Sequence, residues 1–226
     1  MDRTDKDAIQ SKHMTRFREL IAPLRTVNWA ALEDVSSLLE ATLRSLTAQP
    51  AMVGALFSSA EHDPSLAALC EHYDLLDRIV FHNDQQFRLR LHVFHPGYFD
   101  RPHSHRWSYS SLILAGRYRH LLYGQDDNLA DTVDVSSLEP MMIGEAPTGS
   151  FYILHHSAIH SIVAEPHAVS LQMTGPLMKE HFVVMDRVSN KVSWQNNSAD
   201  EPPKAMSLNH FHLLKAKLTD LRILAE

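Results

Sequence analysis

The sequence predicts a mainly β protein, a barrel or sandwich of short strands with helices ahead of it and one helix behind it. Three observations lead there. Apolar residues recur at helical spacing over about residues 5–77, change to a period of two over about 76–194, and return to helical spacing after Ser207. Turn residues cut the middle zone into many short segments, the pattern of a closed or two-layered sheet. The 226 residues, 44% of them hydrophobic and 21% charged, suffice for one large core without staples.

The elements follow in order. Phe17, Leu20, Ile21 and Leu24 define a first helical face, and Pro23 inside it ends or kinks the helix near Ala22. Leu32, Val35, Leu38, Leu39 and Leu43 carry a second. Pro50 interrupts, and Val53, Leu56 and Phe57 form a third. His62-Asp63-Pro64 is a turn signal, after which Leu66, Leu69, Cys70 and Tyr73 make a short helical face. Phe87, Leu89, Leu91 and Val93 then alternate with Arg88, Arg90, His92 and Phe94, a strand with one apolar and one mostly polar face. Residues 110–123 read as two strands joined at Gly116, and 151–154, 161–163, 168–173, 181–185 and 191–194 as further short strands. Residues 197–203 read as a loop. Ser207 caps a last helix with Leu208, Phe211, Leu214, Leu218 and Leu221 on its apolar face, expected to pack on the barrel exterior or on a second subunit. The expected organisation is one structural domain: a helical cap over 1–77, a β-barrel over 78–195, and a loop and helix over 196–226.

Composition narrows the function. The net charge of −6 and the absence of a basic stripe argue against a nucleic-acid partner. The single cysteine, Cys70, rules out an internal disulfide and a cysteine-built zinc or iron–sulfur site. The opening MDRTDKDAIQSKH is charged and lacks the apolar stretch of a secretory signal, and no apolar run approaches the length of a membrane span, so a soluble cytoplasmic protein is expected. Sixteen histidines raise the question of a metal, because neutral imidazole is a common ligand of transition metals.

The sharpest local signal is His103-Ser104-His105. Residues two apart on a strand point the same way, so these imidazoles can chelate one ion. A His-x-His by itself is an ordinary feature of sheet surfaces, but the spacing around this one is specific. Gly97 is followed by five residues and His103; after His105 come three residues, Tyr109, six more and Gly116; and Gly149 stands eleven residues before His160.

These are the frames of the two cupin motifs. Over about residues 78–194 the chain resembles the cupin superfamily, and more narrowly the cysteine dioxygenase-type thiol dioxygenases. Arg78, FRLRLHVFHPG and RPHSH carry the first half of the resemblance, and HSIVAEPHAVSLQMTGP the second. It implies a cupin (double-stranded β-helix or jelly-roll) barrel holding a non-haem iron(II) on His103, His105 and His160. Most cupins add a carboxylate where this chain has Tyr109, which agrees with a three-histidine set. Other divalent transition metals also suit imidazole. Aligned on Val169-Ser170-Leu171, the chain keeps the Ser of a Ser–His–Tyr trio as Ser170 but has Gln172 and Thr174 in place of the His and Tyr. The cysteine that cross-links to that tyrosine in some members is absent.

The resemblance therefore implies a metal-dependent oxygenase using dioxygen on a small polar metabolite that carries a carboxylate, an amine or a thiol. One alternative is a cupin using zinc, nickel or manganese as a Lewis acid for an isomerase, lyase or bond-forming step such as nitrogen–nitrogen coupling. Another is a metabolite-binding module without catalysis. In the first reading Tyr109 and Gln172 orient substrate or oxygen. Arg78 matches the family's carboxylate-binding arginine, and the alignment turns Arg90, His92 and Phe94 inward. An inward Arg90 calls for an anionic partner, which a carboxylate supplies by a bidentate pair. Trp107 shares the face of His103, His105 and Tyr109 if the strand stays regular.

Blander readings stay open. Arg88 and Arg90 suit a solvated outer face, Arg78 an ion pair with Asp74 or Asp77, and the aromatics plain packing. His156 competes with His160 for the third position, and with His155 lies near the barrel mouth. His120, His167 and His181 read as ordinary strand or loop residues, Tyr118, Tyr123 and Tyr152 as packing, Cys70 as small core, and Met141-Met142 as gap-filling core. Cupins often form homodimers, and the C-terminal helix offers a surface for one.

Overall fold

A computed structural model describes residues 3–129, 133–196 and 204–225. The loop expected at 197–203 lies outside the described residues. The chain opens with α1 (Arg3–Ile21), a 3-10 turn (Ala22–Thr26), α2 (Leu32–Thr47), α3 (Pro50–His62) and α4 (Pro64–Ala67). Pro23 ends α1 as its missing N–H requires, whereas Pro50 starts α3, where that N–H is not needed. The Asp63 carboxylate caps α4 through the Ser65 amide at 2.8 Å. No described helix is long and apolar enough to cross a membrane.

Twelve strands follow: β1 (Glu71–His72), β2 (Leu76–Asn83), β3 (Arg88–Phe94), β4 (Tyr109–Ala115), β5 (Arg117–Gln125), β6 (Met142–Pro147), β7 (Phe151–Leu154), β8 (Ala158–Ala164), β9 (Val169–Thr174), β10 (Phe182–Asp186), β11 (Lys191–Gln195) and β12 (Lys204–Ala205), before α5 (Leu208–Asp220). One antiparallel sheet runs β12-β1-β2-β3-β9-β4-β7. The facing sheet is β6-β5-β8 on one side and β10-β11 on the other. Residues 99–103 join its halves, since Phe99 bridges Val163 and His103 bridges both His160 and Val184. The chain passes from β4 to β5 at Gly116, whose φ of +70° suits glycine and where a Cβ would come within 3.0 Å of Ala168.

Strand parity decides what each sheet face meets. Leu89, Leu91, Val93, Leu171 and Met173 point outward against Ile21, Leu39, Leu43, Leu56, Phe57, Phe211 and Leu218, and together they form the main core. Each such Leu or Phe stabilises the fold by about 1.5–3 kcal/mol. The opposite residues, Arg90, His92 and Phe94, are equally buried but face the space between the sheets.

Several expectations change. The sheet begins at Glu71, so a boundary at residue 77 falls inside β2, and Lys204–Ala205 of the tail joins β1. Tyr73 leaves the helical face for the β1–β2 turn, its amide donating to Leu76 O at 2.9 Å. β6 was not expected; Met141 and Met142 at its start are 80% and 52% exposed, so they are not gap-filling core. His181 precedes β10 and is exposed. Leu208 and Leu221 are also exposed, which narrows the apolar face of α5 to Phe211, Leu214 and Leu218. Most consequential for the site, residues 104–108 do not continue a strand, and β4 starts only at Tyr109.

Candidate metal centre and its vestibule

His103 and His160 come from segments far apart in sequence and stand directly opposite each other. Each amide donates to the other's carbonyl at 2.8 Å. The His105 amide donates to His156 O at 3.1 Å, which seats the second imidazole beside them. The side chains converge: His105 Nε2 lies 2.8 Å from His160 Nε2, and one ring nitrogen from each of the three lies within 4.8 Å of the others. Two imidazole nitrogens that close share either a proton or a cation. Neighbouring corners of an ion with metal–nitrogen bonds of about 2.0–2.1 Å stand about 3 Å apart, so the set fits a metal.

The remaining ring nitrogens support the same tautomers. His103 Nδ1 donates to Arg101 O at 2.8 Å. His160 Nδ1 lies 3.0 Å from His120 Nε2. Inferred from these partners, Nε2 of His103 and of His160 carries the free lone pair. Burial, with His103 adding to it, holds His105 and His160 well below the usual imidazole range, and both stay neutral. Between the two ligands of the His-x-His segment, Ser104 turns the other way and is fully buried. Its hydroxyl accepts from the Val183 amide at 3.0 Å and donates to Asp126, which is paired with Lys179.

The ligands line a chamber of about 90 Å³. Its other wall is set by register. Across β3, β9, β4 and β7, Arg90, Gln172, Ser111 and Tyr152 stand side by side; across β2, β3, β9 and β4, so do Arg78, His92, Ser170 and Ile113. The Tyr109 hydroxyl lies 3.4 Å from His160 Nε2, and burial pushes its pKa well above 10, so it remains a proton donor. On the same chamber, Tyr98 donates to Asp100. Burial raises the Asp100 carboxyl above its usual range despite His103, Tyr98 and Arg78 nearby.

Outside the chamber lies a vestibule of about 280 Å³ whose lining includes Arg78, Arg88, Arg90 and Arg106. Arg90 is 7% exposed and donates from Nη2 to Gln172 Oε1 at 3.1 Å. Burial, then Arg78 and Arg88, lower its pKa to about 9, which still leaves it charged at neutral pH. Arg78 Nη1 donates to Glu71 at 3.3 Å and to the Tyr73 hydroxyl at 3.4 Å. The Nε atoms of Arg78, Arg90 and Arg106 are buried without a hydrogen-bond partner. Buried donors of this kind are costly unless something accepts from them, and the Glu71 carboxylate is a single charge against four guanidinium groups.

The structure thus brings His103, His105, His160, Tyr109, Gln172, Arg78, His92 and Phe94 around one chamber. Arg90 lies in the vestibule and reaches the chamber through Gln172. The expectation for Trp107 is corrected. With the strand broken before Tyr109, Trp107 is stacked on His105 at 6.3 Å between ring centroids and lines the vestibule, not the chamber. His156 stacks on His155 at 4.0 Å and stands outside the ligand cluster. His120, on β5, does more than pack, because its Nε2 meets His160 Nδ1, and Tyr118 and Tyr152 line the chamber as well as pack. Tyr98 and Asp100 were missed altogether. Their two-residue spacing inside the Gly97–His103 frame was the available signal.

No protein-family model matches the chain, and no curated protein does. Among solved structures, the chain is similar to KdgF from Halomonas sp., at 15% identity and a TM-score of 0.37 over 47% of this chain and 86% of that one. It is similar to an RmlC-like cupin from Shewanella frigidimarina, at 15% identity and 0.38 over 49% and 85%. It is similar to the DMSP lyase DddQ from Ruegeria pomeroyi, at 12% identity and 0.38 over 49% and 52%. The strand order and the pairing of the two histidine-bearing segments make an antiparallel β-barrel with helices at both ends, the architecture that the cupin resemblance of the sequence implies.

Proposed function

We propose that the protein is a metal-dependent oxygenase. In this reading His103, His105 and His160 hold a non-haem iron(II), and the substrate is a small carboxylate that also carries an amine or a thiol. Convergence of three imidazoles, backed by unpartnered guanidinium nitrogens, is the observation that carries the reading. Iron(II) held by three imidazoles would keep coordination positions for substrate and dioxygen side by side.

The chain's own residues supply the rest. Arg90, pre-oriented by Gln172, and Arg78, pre-oriented by Glu71, take the carboxylate in charge-assisted hydrogen bonds. The Tyr109 hydroxyl donates toward the ligand position beside His160. Phe94, Tyr118 and Tyr152 keep bulk water from the chamber.

The test is oxygen uptake by protein reconstituted anaerobically with iron(II), presented with small thiol, amino and hydroxy carboxylates. Uptake stimulated by at least one of them, and lost in His160→Ala, is the expected result. Asp100 favours a second reading, because a chamber-lining carboxyl whose pKa is raised by burial is a candidate general acid. Protein loaded with zinc, nickel or manganese that converts such compounds without oxygen uptake would establish a lyase, isomerase or bond-forming reaction instead. Binding without turnover under every metal would leave a metabolite-binding module.

A further inference from the structure

A second group of metal-ligating side chains lies on the other side of β2. Arg78 and Leu76 line the chamber, so Asp77 between them faces away from it, toward α5. Asp77 is 0% exposed. Three imidazoles from three other segments close on its carboxylate. His72 Nδ1, from β1, is 2.6 Å from Oδ1; His210 Nε2, from α5, is 2.9 Å from Oδ1; and His95 Nε2, just beyond β3, is 2.7 Å from Oδ2. One ligand atom from each of the four residues lies within 4.8 Å of all the others.

We propose that His72, Asp77, His95 and His210 form a structural binding site for a divalent metal of the zinc class, separate from the barrel centre. Three imidazole nitrogens and one carboxylate oxygen make a complete four-coordinate set, the closed arrangement of structural zinc. Ligand atoms around tetrahedral zinc stand about 3.3 Å apart, as bonds of about 2.0–2.1 Å require. The nitrogen–oxygen distances here are shorter by about half an ångström, so a small outward movement of the rings admits the ion. The His side chains, 22–29% exposed, leave a path to solvent. The ion adds a 2+ charge opposite a buried carboxylate. Its structural effect is a staple. The His210–Asp77 contact joins residues 133 positions apart and ties α5 to β2.

The experiment titrates metal-free full-length protein with zinc and with cobalt(II), reading stoichiometry by elemental analysis and cobalt coordination from visible absorption. The His103→Ala/His105→Ala double variant is expected to keep one tight equivalent of zinc and to give the intense visible bands of four-coordinate cobalt. Adding His210→Ala or His95→Ala to it should weaken zinc binding by more than about a hundredfold, since removing a ligand exceeds the 10–100-fold loss seen for outer partners. Zinc should also raise the melting temperature of the double variant and not that of the triple variant. A folded double variant that binds no zinc, or one whose zinc affinity is unmoved by His210→Ala, overturns the proposal. Cobalt spectra of the wild-type protein give a check that needs no substitution: absence of a four-coordinate signal at two equivalents also overturns it. The outcome is independent of any oxygenase activity, because two of the three barrel histidines are absent from the variant tested.

Discussion

His120 Nε2 stands 3.0 Å from His160 Nδ1, the nitrogen that faces away from the ligand cluster. The contact fixes the ring plane of His160 and leaves the Nε2 lone pair on the chamber side. Partners of this kind typically change metal affinity by about 10–100-fold when removed. We expect His120→Ala to weaken barrel metal binding by that factor, and His120→Gln, which keeps an acceptor, to recover part of it. Competition against a chromophoric chelator reads the affinity, and an unchanged value would show that His160 is oriented by its strand alone.

Arg90 is expected to act in binding more than in turnover. Its guanidinium is held by Gln172 and has an unpartnered Nε beside the vestibule. Hydrogen bonds to a charged group contribute about 1.5–3 kcal/mol, or about 10–100-fold. Arg90→Met should raise KM, or the calorimetric Kd of a small carboxylate, by that factor with little change in kcat. Arg90→Lys should recover little, because an ammonium cannot reproduce the fork. Equal losses in kcat and kcat/KM would place Arg90 in the chemical step instead.

His92 should make the metal-free fold acid-sensitive. Burial first, then Arg90, Arg78 and His105, push its pKa well below the ordinary value, and its Nε2 has no partner. A histidine with a depressed folded pKa binds fewer protons folded than unfolded. The stability it contributes is complete above the unfolded value of about 6.5 and is lost progressively as pH falls below it toward the folded pKa. Urea unfolding of apoprotein between pH 7 and 5 should therefore show stability falling with acid. His92→Gln should remove up to about 1.4 kcal/mol per pH unit from that slope. An unaltered slope would mean that His92 is not charged on unfolding.

The α5 contact is expected to stabilise the whole domain. Phe211 is 1% exposed and packs edge-on against Phe57 at 5.8 Å between ring centroids. Phe211→Ala should cost about 3–5 kcal/mol, read from the urea midpoint at constant m-value. A loss well under 1 kcal/mol would indicate that α5 is only loosely docked.

Much of this architecture is legible because strand parity is a local property. The alternation over residues 87–94 separates Leu89, Leu91 and Val93 from Arg90, His92 and Phe94, and the family resemblance turns the second set inward, where the structure has them. The glycine–histidine spacings similarly foretell which three imidazoles meet. Other features depend on which segments pair, and spacing cannot supply that. Trp107 is displaced because residues 104–108 follow the burial of Ser104 instead of a regular strand. His120 acquires its partner from the β5–β8 register, and Asp77 gathers histidines from three separate segments. β6 carries few buried residues and so has no apolar alternation to read.

Ser104 gives the histidine cluster an anchor on the side away from the chamber. Its hydroxyl is clasped by Val183, Asp126 and Lys179, so the segment presenting His103 and His105 is braced from behind. The arginines, Gln172 and the tyrosines belong largely to other strands. Substitutions in that wall can therefore reshape the chamber while the histidine mount stays untouched.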